Sequence, residues 1–191
     1  EPEQLAFPGP LAREIVHLLD SAALRPGRIL RYAANGRASA GRAEYYPTGI
    51  VPEVVHPPTS RHGFRTGRTG DYFFTASRLD RAKRIDLLIR GFRRSRTPLS
   101  LYIAGTGPEA GVLAAEAAGD PRIRLLGFVA EAELIELYAN ARAVAFIPYD
   151  EDFGYVTLEA FLSGKPVLTC TDSGGPCDLV EHGRSGLVVD P

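Results

Sequence analysis

The stretch EDFGYVTLEA, Glu151 to Ala160, places two carboxylates, Glu151 and Glu159, with seven residues between them around a Phe-Gly pair. Before it runs the apolar AVAFIPYD (Ala143 to Asp150), and after it SGKPVLT (Ser163 to Thr169). That order reads as buried strand, loop, helix, small-residue turn and second buried strand. Glu151 falls in the loop at the carboxyl end of the first strand, and Glu159 about one turn into the helix. Open α/β sheets bind ligands in the crevice outside those carboxyl ends, so both acids are expected to face it. The helix N-terminus adds unpaired N–H groups for an anion. Acids that accept hydroxyls beside amides that hold a phosphate suit a sugar nucleotide.

Working outward, the same alternation continues from residue 71. YFFTA (Tyr72 to Ala76), LSLYIAG (Leu99 to Gly105), IRLLGFV (Ile123 to Val129), AVAFIPY, PVLTC (Pro166 to Cys170) and GLVV (Gly186 to Val189) read as strands. DLLIRGF, the Ala-rich EAGVLAAEAAG and EAELIELYANA between them carry helical spacing; Leu134, Leu137 and Tyr138 make one apolar face at i, i+3 and i+4. Strands that are apolar throughout, rather than alternating, belong to a parallel sheet covered on both faces. The expected class is α/β, a doubly wound Rossmann-like parallel sheet over residues 71–191. Residues 1–70 read differently. LAREIVHLLDSAA (Leu11 to Ala23) and SAGRAEYY (Ser39 to Tyr46) are helical, EVVHPP (Glu53 to Pro58) is a short strand stopped by prolines, and RHGFRTGRTG (61–70) is a polar, Gly-rich hinge or loop.

Composition narrows the function classes. Twenty-two basic against 23 acidic residues leave a net charge of −1, which argues against nucleic-acid binding by bulk electrostatics. No apolar run reaches the roughly 20 residues that cross a bilayer. A membrane surface has only RGFRRSR (Arg90 to Arg96) to speak for it, and such a basic run is more often a solvated helix end. Cys170 and Cys177 are the only cysteines, too few for a disulfide framework or a Cys-based zinc site, and they are expected as buried thiols in a reducing cytoplasm. The chain opens on Glu1 and contains no Met, so a further, amino-terminal domain is expected.

Arg78 and Lys83 follow the first strand of the sheet and bring two cations to the ligand crevice. A forked Arg and a point-charge Lys stabilise charge that builds on a departing diphosphate. The plain alternative is a charged, solvated loop, since Arg81 and Arg84 lie there too. Gly105 and Gly107, in AGTGP, mark either a close approach to a nucleotide or an ordinary strand-to-helix turn. His17, His56, His62 and His182 show no ligand or triad spacing and are assigned nothing.

The Glu151–Glu159 segment resembles the E-x7-E signature of retaining glycosyltransferases of the GT-B fold, family 4 (group 1) in particular. SRLDRAKRIDLLIRGF (Ser77 to Phe92), LYIAGTGPE (Leu101 to Glu109), RIRLLGFV (Arg122 to Val129) and GRSGLVVDP (Gly183 to Pro191) follow that family's order and spacing. The resemblance implies a donor-binding half of a GT-B fold at 71–191, with 1–60 as the tail of an amino-terminal domain and the crossover. It implies diphosphate contacts for Arg78 and Lys83, donor-sugar hydroxyls for Glu151 and ribose hydroxyls for Glu159. Backbone at Phe153 and Gly154 would lie near the sugar and phosphates, and Phe128 and Val129 near the base, though strand-end core packing explains the latter pair equally well. The substrate would be a nucleoside-diphosphate sugar, with no cofactor and no metal. The acceptor would be a glycan, lipid or small molecule. One departure stands out: the family commonly has Gly after the lysine, and here it is Arg84, which leaves the loop's conformation open. Asp150-Glu151-Asp152 also contains a D-x-D, the manganese signature of the GT-A fold, but within the carboxylate motif and a βα context the metal-free reading is preferred. A GT-B epimerase or phosphorylase, and a non-catalytic nucleotide-binding module, are the alternatives; Lys165 is no convincing pyridoxal-phosphate lysine for a phosphorylase.

Overall fold

The computed structural model describes residues 9–59 and 61–191, so that residues 1–8 and Ser60 of the expected 1–60 segment lie outside it. Six strands form one parallel sheet: β3 (Tyr72–Ala76), β4 (Ser100–Ala104), β5 (Ile123–Gly127), β6 (Ala143–Ala145), β7 (Val167–Cys170) and β8 (Gly186–Val189), in the order β5-β4-β3-β6-β7-β8. This is the doubly wound order, in which the chain runs outward to one edge, returns to the middle beside β3 and runs to the other. The fold class read from the sequence is the one found.

Residue alternation along the strands assigns the two faces. Phe73, Leu101 and Ile103 pack with α3 (Ile85–Arg94) and α4 (Ala110–Ala117), while Phe74, Tyr102 and Ala104 pack with α5 (Glu131–Asn140) and α6 (Tyr155–Leu162). Helix α3 buries Ile85, Leu88, Ile89 and Phe92 at i, i+3, i+4 and i+7 and leaves Arg90, Arg93 and Arg94 in solvent. Tyr138 of α5, expected on an apolar face, is fully buried, with Phe74 and Phe64 edge-on to its ring at 4.9 and 5.7 Å. A short α7 (Pro176–Leu179) precedes β8. No helix among the described residues is long and apolar enough to cross a membrane. Cys170 and Cys177 are free, and burial pushes both thiols above their usual range.

Three boundaries differ from expectation. The run Ala143 to Tyr149 pairs only through Ala145, because Pro148 has no N–H and the backbone turns away to bond Tyr149 N to Ala82 O (2.7 Å). The helix expected over Ser39–Tyr46 is instead a four-residue helix, α2 (Arg37–Ala40), and a single 3₁₀ turn (Ala43–Tyr45), divided at Gly41. The short strand β2 (Glu53–Val54) pairs in parallel with β1 (Ala33–Ala34), a strand the periodicity did not reveal. Helix α1 (Gly9–Ala23) forms where expected and buries none of its residues.

The Gly-rich segment 61–70 contains no helix or strand, yet it is held along α5. Gly70 N donates to Asn140 O (2.8 Å), Arg65 pairs with Glu136 (2.6 Å), and a Cβ on Gly67 would lie 2.6 Å from Ala139 O.

Candidate functional site

The switch point of this sheet lies between β3 and β6, where adjacent strands feed chain in opposite directions and leave a crevice at their carboxyl ends. Ser77 to Arg84 rises from β3, Phe146 to Gly154 from β6, Gly105 to Pro108 from β4 and Phe128 from β5. Arg78, Gly105, Phe128 and Val129 meet in one cavity of about 290 Å³, which Arg61 also lines. Phe128 is 83% exposed there, which sets it apart from a strand-end core residue. Arg78 is 76% exposed, with Asp80 3.5 Å away, so its guanidinium is available to a ligand. A second cavity of about 430 Å³, lined by apolar residues such as Phe92 and Leu168, offers a phosphate almost nothing.

Lys83 and Glu151 are brought together from opposite sides of the switch point. Lys83 ends the single 3₁₀ turn Arg81–Lys83, and its ammonium donates to Glu151 Oε2. Each compensates the other's charge while leaving both side chains partly open to the crevice. The turn is anchored by the next residue. Arg84 adopts φ 51°, ψ 38°, the left-handed conformation that favours glycine, which accounts for the glycine of the resembling family. Its side chain compensates with two hydrogen bonds to Asp172, both 2.7 Å, and others to Ile147 O (2.8 Å) and Pro148 O (2.7 Å). The hydrogen bond to Asp172 raises the guanidinium's pKa, and Arg84 in turn holds the Asp172 carboxyl below its ordinary value. Arg84 thereby ties the Lys83 turn to the β6 strand end.

The Glu151 loop is pinned by backbone. Glu151 N donates to Ser173 O (3.0 Å) and Gly175 N donates to Glu151 O (2.6 Å). Ser173-Gly174-Gly175-Pro176 was not singled out from sequence, although its paired glycines are the signal: both pack directly on the Glu151–Phe153 backbone. Gly154 caps α6 at φ 82°, and a Cβ there would sit 2.9 Å from Pro176 Cγ. Phe153 is buried, with His56 stacked on it at 5.5 Å, so a histidine assigned nothing from sequence touches the signature loop. At Gly105 and Gly107 a side chain would overlap the Ser77 and Leu79 backbone. Close packing of the two strand-end turns already requires glycine there.

Glu159 is 5% exposed, and each of its carboxylate oxygens accepts one hydrogen bond from a protein side chain. The Tyr138 hydroxyl donates to its Oε2 (2.9 Å) and Arg61 Nη1 donates to its Oε1 (2.9 Å). Burial raises the carboxyl's pKa, and these two donors partly offset that rise. Burial also pushes the Tyr138 phenol well above its usual range, helped by the adjacent Glu159 charge. Neither partner carried a sequence signal. Tyr138 read only as one of an apolar stripe, and Arg61 resembled Arg65 and Arg68 beside it.

The D-x-D carboxylates are also occupied. Arg42, from the segment between α2 and the 3₁₀ turn, lies 3.3 Å from Asp150 and 2.9 Å from Asp152 and donates to the Asp150 carbonyl at 2.7 Å.

Comparison with known proteins bears on the family and the fold. The family model described as glycosyl transferases group 1 matches residues 59–191. The chain is 30% identical over 203 residues to a D-inositol 3-phosphate glycosyltransferase of Pseudarthrobacter chlorophenolicus, covering 96% of this chain and 48% of that protein. The chain thus spans about half the length of that curated relative. Anabaena HepE, solved in complex with UDP and glucose, superposes with a TM-score of 0.75 at 22% identity over 100% of this chain and 55% of that one. S. aureus TarM superposes with a TM-score of 0.74 at 17% identity over 93% of this chain and 36% of that one. The sheet is one half of a GT-B fold, the fold of these neighbours. On the extent of the family match, the chain belongs to the glycosyl transferases group 1 family.

Proposed function

We propose that this chain is the donor-binding half of a retaining glycosyltransferase, binding a nucleoside-diphosphate sugar in the switch-point crevice. The observation that carries this reading is the meeting of Lys83 and Glu151 across the switch point, from the loops after β3 and β6. Arg78 lines the cavity at the strand ends, and Arg61 links that cavity to Glu159. Arg78 and Lys83 take the diphosphate. Lys83 exchanges part of its contact with Glu151 for a phosphate oxygen, which frees Glu151 to accept donor-sugar hydroxyls. Glu159 accepts the ribose hydroxyls, and the exposed Phe128 with the Val129 backbone faces the base. Amides at Phe153 and Gly154, at the start of α6, lie toward the sugar and phosphates. As the glycosidic bond breaks, charge grows on the leaving diphosphate, and the two cations bind that state better than the ground state. The acceptor, a glycan, lipid or small molecule, would be held by a second, amino-terminal domain. The chain's two free thiols fit the reducing cytoplasm.

Binding needs no divalent metal in this reading. Arg78 and Lys83 neutralise the diphosphate, and the Asp150 and Asp152 carboxylates already face Arg42. Thermal stabilisation of the chain by UDP-, GDP- and ADP-sugars, run with EDTA and then with manganese, tests the reading and identifies the base. One nucleotide class is expected to raise Tm equally under both conditions. A manganese requirement that disappears in Asp152→Ala would favour the D-x-D reading, and no stabilisation by any of them would remove the donor site.

A further inference from the structure

We propose that Arg61, on the crossover segment, is a positioning residue that holds the Glu159 carboxyl aimed for the donor's ribose. This rests on the reading of Glu159 as the ribose acceptor and extends it to a residue outside the carboxylate signature.

A carboxylate has about four acceptor sites, two on each oxygen. In this structure one site on Oε1 is filled by Arg61 and one on Oε2 by the Tyr138 hydroxyl. Each oxygen therefore keeps one site, and a pair of vicinal hydroxyls matches two adjacent oxygens. Fixing both oxygens removes the rotational freedom that a lone Glu would lose on binding.

The two partners are not equivalent. Tyr138 is fully buried and neutral, so it orients the carboxylate without balancing its charge. Arg61 is the cation. Its side chain is 47% exposed, whereas that of Glu159 is 6% exposed, and it lines the cavity that also contains Arg78 and Phe128. Arg61 thus reaches from the ligand cavity to the buried acid. The charged or titratable groups acting on Glu159 are Tyr138 from α5 and Arg61 from the crossover. Burial favours the protonated acid, and Arg61 opposes it. A protonated Glu159 accepts hydroxyls more weakly, so ribose recognition falls as pH drops through the Glu159 pKa. Removing Arg61 raises that pKa, and the fall then begins at a higher pH.

The test compares UDP, GDP and ADP with their 2′-deoxy counterparts, by calorimetric titration from pH 5 to pH 8, on the wild-type chain, Arg61→Ala and Arg61→Lys. Arg61 is half exposed, and retained thermal unfolding would show that the variants fold. Wild type is expected to prefer the ribonucleotide on the order of 10-fold. Arg61→Ala is expected to lose most of that preference, with the remainder vanishing at a higher pH than in wild type, and Arg61→Lys to restore part of it. If Arg61→Ala keeps the wild-type preference and pH profile, or weakens the ribo and deoxy forms equally, the positioning role is overturned while Glu159 keeps its own. A wild-type chain that binds both forms equally would overturn the ribose reading of Glu159, and the role of Arg61 with it.

Discussion

Offered a nucleotide-sugar and an acceptor, the 191-residue chain is expected to hold the donor and transfer almost no sugar. Transfer needs a positioned acceptor and a water-poor cleft, and positioning alone can supply roughly 7–11 kcal/mol of the barrier. The described residues form one doubly wound sheet; ahead of it, residues 9–59 provide only α1, α2, a 3₁₀ turn and the two-residue strands β1 and β2. The crevice consequently has one wall. Arg78 and Phe128, both more than three-quarters exposed, show how open it is. Product formation from a labelled donor, measured with and without acceptor, should not rise above the protein-free control, although calorimetry detects donor binding. Brisk acceptor-dependent transfer would show that these residues already contain a complete active site.

Replacing Arg84 is expected to have the largest effect on stability. Arg84→Ala removes four hydrogen bonds, leaves Asp172 without its cation and strands the Ile147 and Pro148 carbonyls, all at a residue in the left-handed region. For a partly buried ion pair with charge-assisted hydrogen bonds, a loss of about 2–4 kcal/mol is expected. In a chain of this size that lowers Tm by roughly 4–16 °C. Arg84→Gly loses the same contacts but relaxes the backbone, and should be the more stable of the two by about 1 kcal/mol. The pH dependence follows from Asp172, whose folded pKa is depressed by Arg84. Its contribution is present above the unfolded carboxyl's pKa and fades as pH falls through the folded value. Wild type should therefore lose more stability than Arg84→Ala on acidification below about pH 4. Identical melting of wild type and both variants would leave the Lys83 turn without its anchor.

The fold was legible where burial on two faces imposes its own pattern. Runs such as YFFTA and LYIAG are apolar at every position because helices cover both sides of the sheet, and no other common arrangement asks for that. The order of the βα units then determined which loops meet at the switch point, and so Arg78, Lys83 and Glu151 could be placed there. What was not legible depends on contacts distant in sequence. Arg61 reaches Glu159 across 98 residues, and Arg42 reaches Asp150 across 108. Nothing in the local pattern marks either among the chain's many arginines. Strand β1 escaped for a different reason: two residues are too few to show a period. The Arg84 departure looked like a fault in the motif and became intelligible only from its φ and its four hydrogen bonds, which together explain why the turn tolerates a residue other than glycine.

A nucleoside diphosphate is expected to occupy the switch-point crevice through Arg78 and Lys83. Calorimetric titration of UDP, GDP and ADP into the wild-type chain, Arg78→Ala, Lys83→Ala and the double variant, all in EDTA, measures it most directly. One nucleotide is expected to bind with a stoichiometry near one. Each single substitution should cost about 1.5–3 kcal/mol of affinity, on the order of 10- to 100-fold, and the double variant more than either. Affinity unchanged in the double variant, with its thermal unfolding intact, would return Arg78 and Lys83 to a solvated loop and contradict the account.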